Sequence, residues 1–242
     1  MYGYGYGMGY GYGYGYSWTY LLVIIGLIIS LAASGMVRST YSKYAKVRSK
    51  NGITAAQAAQ TILQGAGIYD VNIQHISGNL TDNYNPTTKV LNLSDSTYGS
   101  TSVAAIGVAA HECGHAIQHQ TNYAPLNIRG ALVPAVNIGS TISIPMILVG
   151  VLLSYNQTLI TLGIALFSLT LLFQLVTLPV EFDASGRALR ILSDSGLLDT
   201  QEVSQARKVL SAAAMTYVAA AAVSALQLLR LVLMFGGRGR RN

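Results

Sequence analysis

The sequence predicts a mainly α, multi-span helical membrane protein with one small β-hairpin or ribbon. Three observations carry this reading. Of 242 residues, 51% are hydrophobic and only 10% are charged, whereas an ordinary soluble domain carries about 25% charged residues. Three charge-free apolar runs reach bilayer-spanning length, and a fourth is interrupted by Arg230. Between the first two runs lies a polar stretch whose residues alternate with the period of a strand.

Residues 1–17 form a Gly/Tyr-rich tail, read as flexible because glycine is costly to order. Its tyrosines suit a membrane surface. Residues 18–36 follow as a transmembrane helix. A cleaved signal peptide is the weaker reading, because no basic residue precedes the run. Arg38, Lys43, Lys46, Arg48 and Lys50 come directly after it. By the positive-inside rule they place the following region in the cytoplasm and the tail outside.

Residues 37–130 form a polar part expected to carry the chemistry. Within it, Ile53 to Gln64 is Ala-rich and helical in character, ending near Gly65 and Gly67. Asp70 to Ser77 and Lys89 to Ser94 alternate as half-exposed strands, with turn residues from Asn79 to Pro86 between them. Thr101 to Gln120 reads as one long helix. Residues 131–180 form a transmembrane helical hairpin, since only Ser154 to Gln157 separates its two apolar runs. Residues 181–208 form a polar segment, 209–235 an apolar helix that either spans or packs back, and 236–242 a basic tail. If all four runs span, that tail lies outside, against the charge rule.

The net charge of +6 does not mark a nucleic-acid binder, because the basic residues flank apolar runs and form no groove-like array with aromatics. One cysteine, Cys113, excludes an intramolecular disulfide.

His111-Glu112-Cys113-Gly114-His115 is an H-E-x-x-H sequence. Residues four apart share a helix face, so both imidazoles can reach one zinc ion, as in a zincin-like helix. Glu112, beside that face, is placed to act as the catalytic base. A third protein ligand is needed, and the chain has only three glutamates: Glu112, Glu181 and Glu202. Two spans separate His115 from Glu181, and crossing twice returns the chain to its starting side. Glu181 is therefore the expected third ligand for one Zn2+ per chain.

Asp183 is an alternative ligand or a carboxylate that orients a histidine. Arg187 can hold a carboxylate or assist the oxyanion, and Tyr84 and Tyr217 can each donate a hydrogen bond to a tetrahedral intermediate. His119 drifts off the ligand face and His75 has no clustered partner. Cys113 reads as a small buried residue, with a regulatory thiolate as the alternative.

Several stretches resemble the YugP-type neutral zinc metallopeptidases, membrane proteins of bacteria. They are GNLTD (78–82), SVAAIGVAAHECGHAIQH (102–119), YAPLNIR (123–129), VTLPVEFDAS (176–185) and AAAMTYVAAA (212–221). The resemblance runs from Thr19 to Leu233. It implies a zinc-dependent membrane peptidase with His111 and His115 as ligands and Glu112 as the catalytic residue. Glu181 to Ala184 is similar to the Glu-x-x-Ala-Asp pattern of HtpX-like and CAAX-prenyl endopeptidases, with Ser185 in place of the Asp. The chain also departs from the family at Asn83 and Asn85, where His and Asp are the family residues.

The function expected is a membrane-embedded zinc endopeptidase of the cell membrane, its site on the cytoplasmic face. Its partners are peptide or membrane-protein substrates and the lipid bilayer. Oligomeric state is not legible. The alternatives are a non-catalytic zinc-binding scaffold and an intramembrane-cleaving protease. The latter wants an Asp inside an apolar run, which this chain lacks. A transporter would need more polar residues at mid-membrane.

Overall fold

The structure, a computed structural model, describes residues 18–236. The Gly/Tyr tail and the basic tail beyond Gly236 lie outside the described residues. Among the described residues the fold has six helices and a three-stranded sheet.

Helix α1 (Thr19–Tyr44) is longer than its apolar run. No proline interrupts the backbone when the side chains turn polar at Arg38, so the helix continues through Lys43. Along its apolar part, Leu27, Ile28 and Leu31 are 58%, 59% and 64% exposed. A contiguous apolar face of this kind needs a lipid environment. Helix α2 (Ala55–Gly65) opens with a capping box, in which Thr54 and Gln57 each accept from the other's backbone N–H.

The sheet is built from β1 (Asn72–Ile76), β2 (Asn83–Asn85) and β3 (Val90–Ser94), in the order β1-β3-β2. The two alternating segments lie side by side but run parallel, from Asn72↔Val90 to Ile76↔Ser94. The hairpin is the one β2 makes with β3, antiparallel, with Tyr84 opposite Leu91. Alternation in the sequence sets which face of a strand is buried and is silent on strand direction. Among the described residues no strand pairs with the outer edge of β2.

Helix α3 (Val103–Gln120) starts at Ser102, whose hydroxyl accepts from the Ala105 N–H at 3.2 Å. It is the centre of the polar part. Ile106, Ala109, Ala110 and Cys113 are fully buried in one core with Ile62 and Leu63 of α2 and Leu91 and Leu93 of β3.

Helices α4 (Ala124–Leu152) and α5 (Gln157–Asp194) form the expected antiparallel hairpin, turned through Ser154 and Tyr155 at φ of 54° and 60°. They touch at Gly163, where a Cβ would stand 2.5 Å from Ile147 Cγ1 and 2.9 Å from the Ser143 carbonyl oxygen. Helix α5 does not stop at Val180. It runs on to Asp194 with Pro179 inside it, so Glu181 sits within a continuous rod.

Helix α6 (Thr200–Phe235) begins at a second capping box, Asp199 with Glu202, and so takes in the polar residues before Val209. It returns along α1. The Arg230 guanidinium lies 5.0 Å from the centre of the Tyr20 ring, and Gln157 Nε2 donates to the Phe235 carbonyl at 3.2 Å. The far end of α6 is therefore level with the start of α1. Four helices, α1, α4, α5 and α6, are long and apolar enough to cross a membrane.

Replacing Gly163 by Leu should force α4 and α5 apart, at a cost of about 1–3 kcal/mol as for other overpacked sites. Thermal unfolding in detergent should show a lower midpoint; an unchanged midpoint would mean the hairpin is not tightly seated there.

Candidate metal centre

The site arises where α3 crosses α5. At Gly114 the two backbones are so close that a Cβ would lie 2.6 Å from the Ala184 carbonyl oxygen and 3.1 Å from its Cα. Only hydrogen fits. The glycine inside the H-E-x-x-H sequence thus lets α5 press Glu181 against the two histidines.

Glu181 is 2% exposed. Its Oε2 lies 3.3 Å from His111 Nε2 and 3.6 Å from His115 Nε2. The two imidazoles meet edge to face, with centroids 4.7 Å apart and an interplanar angle of 82°. One donor atom from each of the three residues falls within 4.8 Å of the others, so they can hold a metal ion.

The far nitrogens are tied down. His111 Nδ1 shares a hydrogen bond with Ser185 Oγ at 3.1 Å, and His115 Nδ1 one with Gln118 Oε1 at 3.0 Å. Gln118 Nε2 donates to the Val180 carbonyl and to Asp183 Oδ2, both at 2.8 Å. Those two acceptors fix which end of the amide is nitrogen, so Oε1 must accept from His115 Nδ1–H. The Nε2 of His115 then keeps its lone pair and points it at the centre.

One observation tests whether a cation fits. Glu181 Oε2 is buried and has no hydrogen-bond partner, although two Nε2 atoms face it. A buried carboxylate oxygen left this way is costly. Two imidazole nitrogens and a carboxylate oxygen are a donor set that zinc takes readily. The residues fit the ion.

Around this trio, Arg129 Nη1 donates to Glu181 Oε1 at 3.3 Å. Glu112, 8% exposed, and Tyr217 line two cavities beside Glu181, a smaller one of about 190 Å³ and a larger one of about 700 Å³.

Comparison with known proteins gives the family. Residues 19–236 match the family described as "Putative neutral zinc metallopeptidase". A Bacillus subtilis (strain 168) protein named "Putative membrane protease YugP" is 46% identical over 214 residues, 88% of this chain and 95% of that protein. The chain belongs to this family. No solved structure matches it.

Within this zinc metallopeptidase frame the lesser sequence candidates separate clearly. Asp183 is outside the trio; it accepts from Gln118 and from Arg187 Nε, the latter at 2.6 Å. It therefore reaches His115 only through Gln118. Arg187 does hold a carboxylate, that of Asp183, and it stacks over Tyr123 at 5.6 Å. Tyr84 places its hydroxyl 2.9 Å from His119 Nδ1, at the wall of the larger cavity. His75 is paired with Asp95 at 2.7 Å, away from the centre.

Cys113 points to the opposite face of α3, its Sγ–H directed at the Ala59 carbonyl. Burial pushes its thiol pKa up, and the neighbouring Glu112 charge adds to this, so a thiolate ligand is not what the structure offers.

Sequence reasoning missed Gln118 and Arg129, and assigned Ser185 no partner. Gln118 lies one helical turn past His115, a spacing that could have flagged it. Arg129 gave no local signal, being 52 residues from Glu181 in the chain.

Gln118→Leu should weaken zinc binding about 10- to 100-fold while leaving helix content intact, as loss of a histidine's outer partner does. Gln118→Glu, which keeps the acceptor, should lose less. Chelator competition on the purified proteins measures this; equal affinities in all three would show that the contact does not orient His115.

Proposed function

We propose that this chain is a zinc-dependent membrane endopeptidase with one zinc per chain, held by His111, His115 and Glu181. The observation that carries the reading is the buried, unpartnered Glu181 Oε2 facing two imidazole nitrogens. The family's description supports it, as does the other relative's name.

A zinc ion held by His111, His115 and Glu181 would supply Lewis acidity toward a peptide carbonyl and would make water a nucleophile near neutral pH. The chain's residues do the rest. Arg129 holds Glu181 Oε1 so that Oε2 faces the histidines. The Glu112 carboxylate takes the proton from the attacking water and hands it to the leaving amine nitrogen. Tyr217, on the wall shared with Glu112, offers an O–H donor to the developing oxyanion. The open edge of β2 beside the cavity suits an extended peptide pairing through its backbone, giving broad sequence tolerance.

The site belongs on the cytoplasmic face of the cell membrane. Arg38, Lys43, Lys46, Arg48 and Lys50 leave the membrane at the same end as the site. Arg190, Arg207 and Lys208 lie there too, so the positive-inside rule favours this orientation.

Zinc content of the detergent-purified chain should be near one per chain and should fall sharply in Glu181→Ala. Glu112→Gln should keep its zinc and lose cleavage of an unfolded protein by about 100-fold or more. Undiminished cleavage by zinc-bearing Glu112→Gln would overturn the mechanism. Zinc without any cleavage by wild type would leave a scaffold.

A further inference from the structure

We infer that the substrate is a membrane-anchored chain cut where it leaves the bilayer, with an aliphatic residue next to the scissile bond. This rests on the peptidase reading above and adds the substrate class.

The first support is a coincidence of levels. Helix α1 carries no charge before Arg38, and α4 none after Arg129. Helix α5 has none before Glu181, and α6 none from Val209 to Leu229. These four transitions meet in space. Arg129 touches Glu181 at 3.3 Å, while Val37, next to the first charge of α1, and Val209, next to the last charge before the uncharged run of α6, line one cavity with Glu181. The plane at which the helices become fit for lipid is therefore the plane of the metal ligands.

The second support is the shape of the space around those ligands. Two cavities share His111, Glu112, Glu181, Tyr217 and Asp82 as a common wall. The smaller, about 190 Å³, is closed by Val37, Val108, Val209, Leu210, Ala213 and Ala214. It has room for an aliphatic side chain and little to hydrogen-bond one. The larger, about 700 Å³, runs from Asn83, Thr87 and Asn127 to Leu126, Val133 and Phe173, the last two in the uncharged runs of α4 and α5.

A peptide lying across the shared wall thus has an aliphatic cavity on one side of its scissile bond and, on the other, a cavity that passes from polar residues to the apolar runs of α4 and α5. A soluble polar peptide leaves the aliphatic cavity unmatched. The segment of a chain that emerges from a bilayer matches both, because its composition changes at the same boundary. Asp82 is not free to charge the shared wall. Its carboxylate is satisfied by the Ser94 N–H, the Ser94 hydroxyl and the Thr97 hydroxyl, at 2.8, 3.0 and 3.1 Å.

The test uses the zinc-loaded full chain in phosphatidylglycerol/phosphatidylcholine vesicles with three substrates sharing one polar tail. One is joined to an apolar span through Leu, one to the same span through Asn, and one is the free tail carrying the Leu. Cleavage is expected within a few residues of the boundary. Changing Leu to Asn should lower kcat/KM by about tenfold or more, the discrimination an apolar pocket provides. Ala213→Leu, which narrows the small cavity, should weaken binding of the Leu-anchored substrate to a Glu112→Gln background, read by fluorescence, with zinc content unchanged. Cuts scattered along the tail, or equal rates on the Leu and Asn substrates, would overturn the inference and leave the peptidase standing. No cleavage of any substrate by zinc-loaded wild type would overturn the peptidase reading, and this one with it.

Discussion

The near-contact of α3 and α5 at Gly114 and Ala184 is the constraint from which the site follows. His111, Gly114, His115 and Gln118 fall at i, i+3, i+4 and i+7, one face of α3. That face does three things at once. Its histidines aim inward, its glycine admits the opposing backbone, and its glutamine fastens the crossing by bonding to Val180 and Asp183 of α5. A larger residue at 114 would move the ligand-bearing helices apart by displacing main chain, which has nowhere to relax. The other face of α3 does ordinary work. Cys113, Ala109 and Ile106 pack into the core with α2 and β3.

Burying a carboxylate with 2% exposure in a largely apolar molecule needs compensation. Arg129 supplies it on one oxygen; the two imidazoles face the other. This division explains why α4 must begin before the apolar run. Its first turns carry Arg129 over the Phe173 ring of α5, 6.0 Å away, where the guanidinium can still reach Glu181. The site is thus assembled from three elements, α3, α4 and α5, with Tyr217 of α6 on its wall.

Continuity of the long helices joins the two halves of the molecule. Helices α5 and α6 each pass without interruption from exposed apolar surface into the packed polar part. Their polar ends, Ala188, Leu192, Val203 and Ala206 among them, are buried in the same core as α2 and α3. The polar part is consequently no appended domain. It is built on the ends of the same rods that carry the lipid-facing residues, which is why the change from charged to uncharged sequence and the metal ligands fall together.

Much of this was legible in the chain. Local order follows from local chemistry, so the α3 helix, the Ala-rich α2 helix and the short α4–α5 turn could be read directly. The return of Glu181 to the H-E-x-x-H helix also follows, because two crossings of bilayer length restore the starting side whatever the packing. What the sequence by itself determined was therefore the class of fold, the spans and the residues able to bind a metal. Tertiary structure alone decided the parallel pairing of β1 with β3, the run of α5 past Pro179, the contacts of Gln118 to α5, and the partners of Ser185 and Arg129. Those depend on which surfaces meet across tens of residues, and no periodicity or short-range spacing encodes such a meeting.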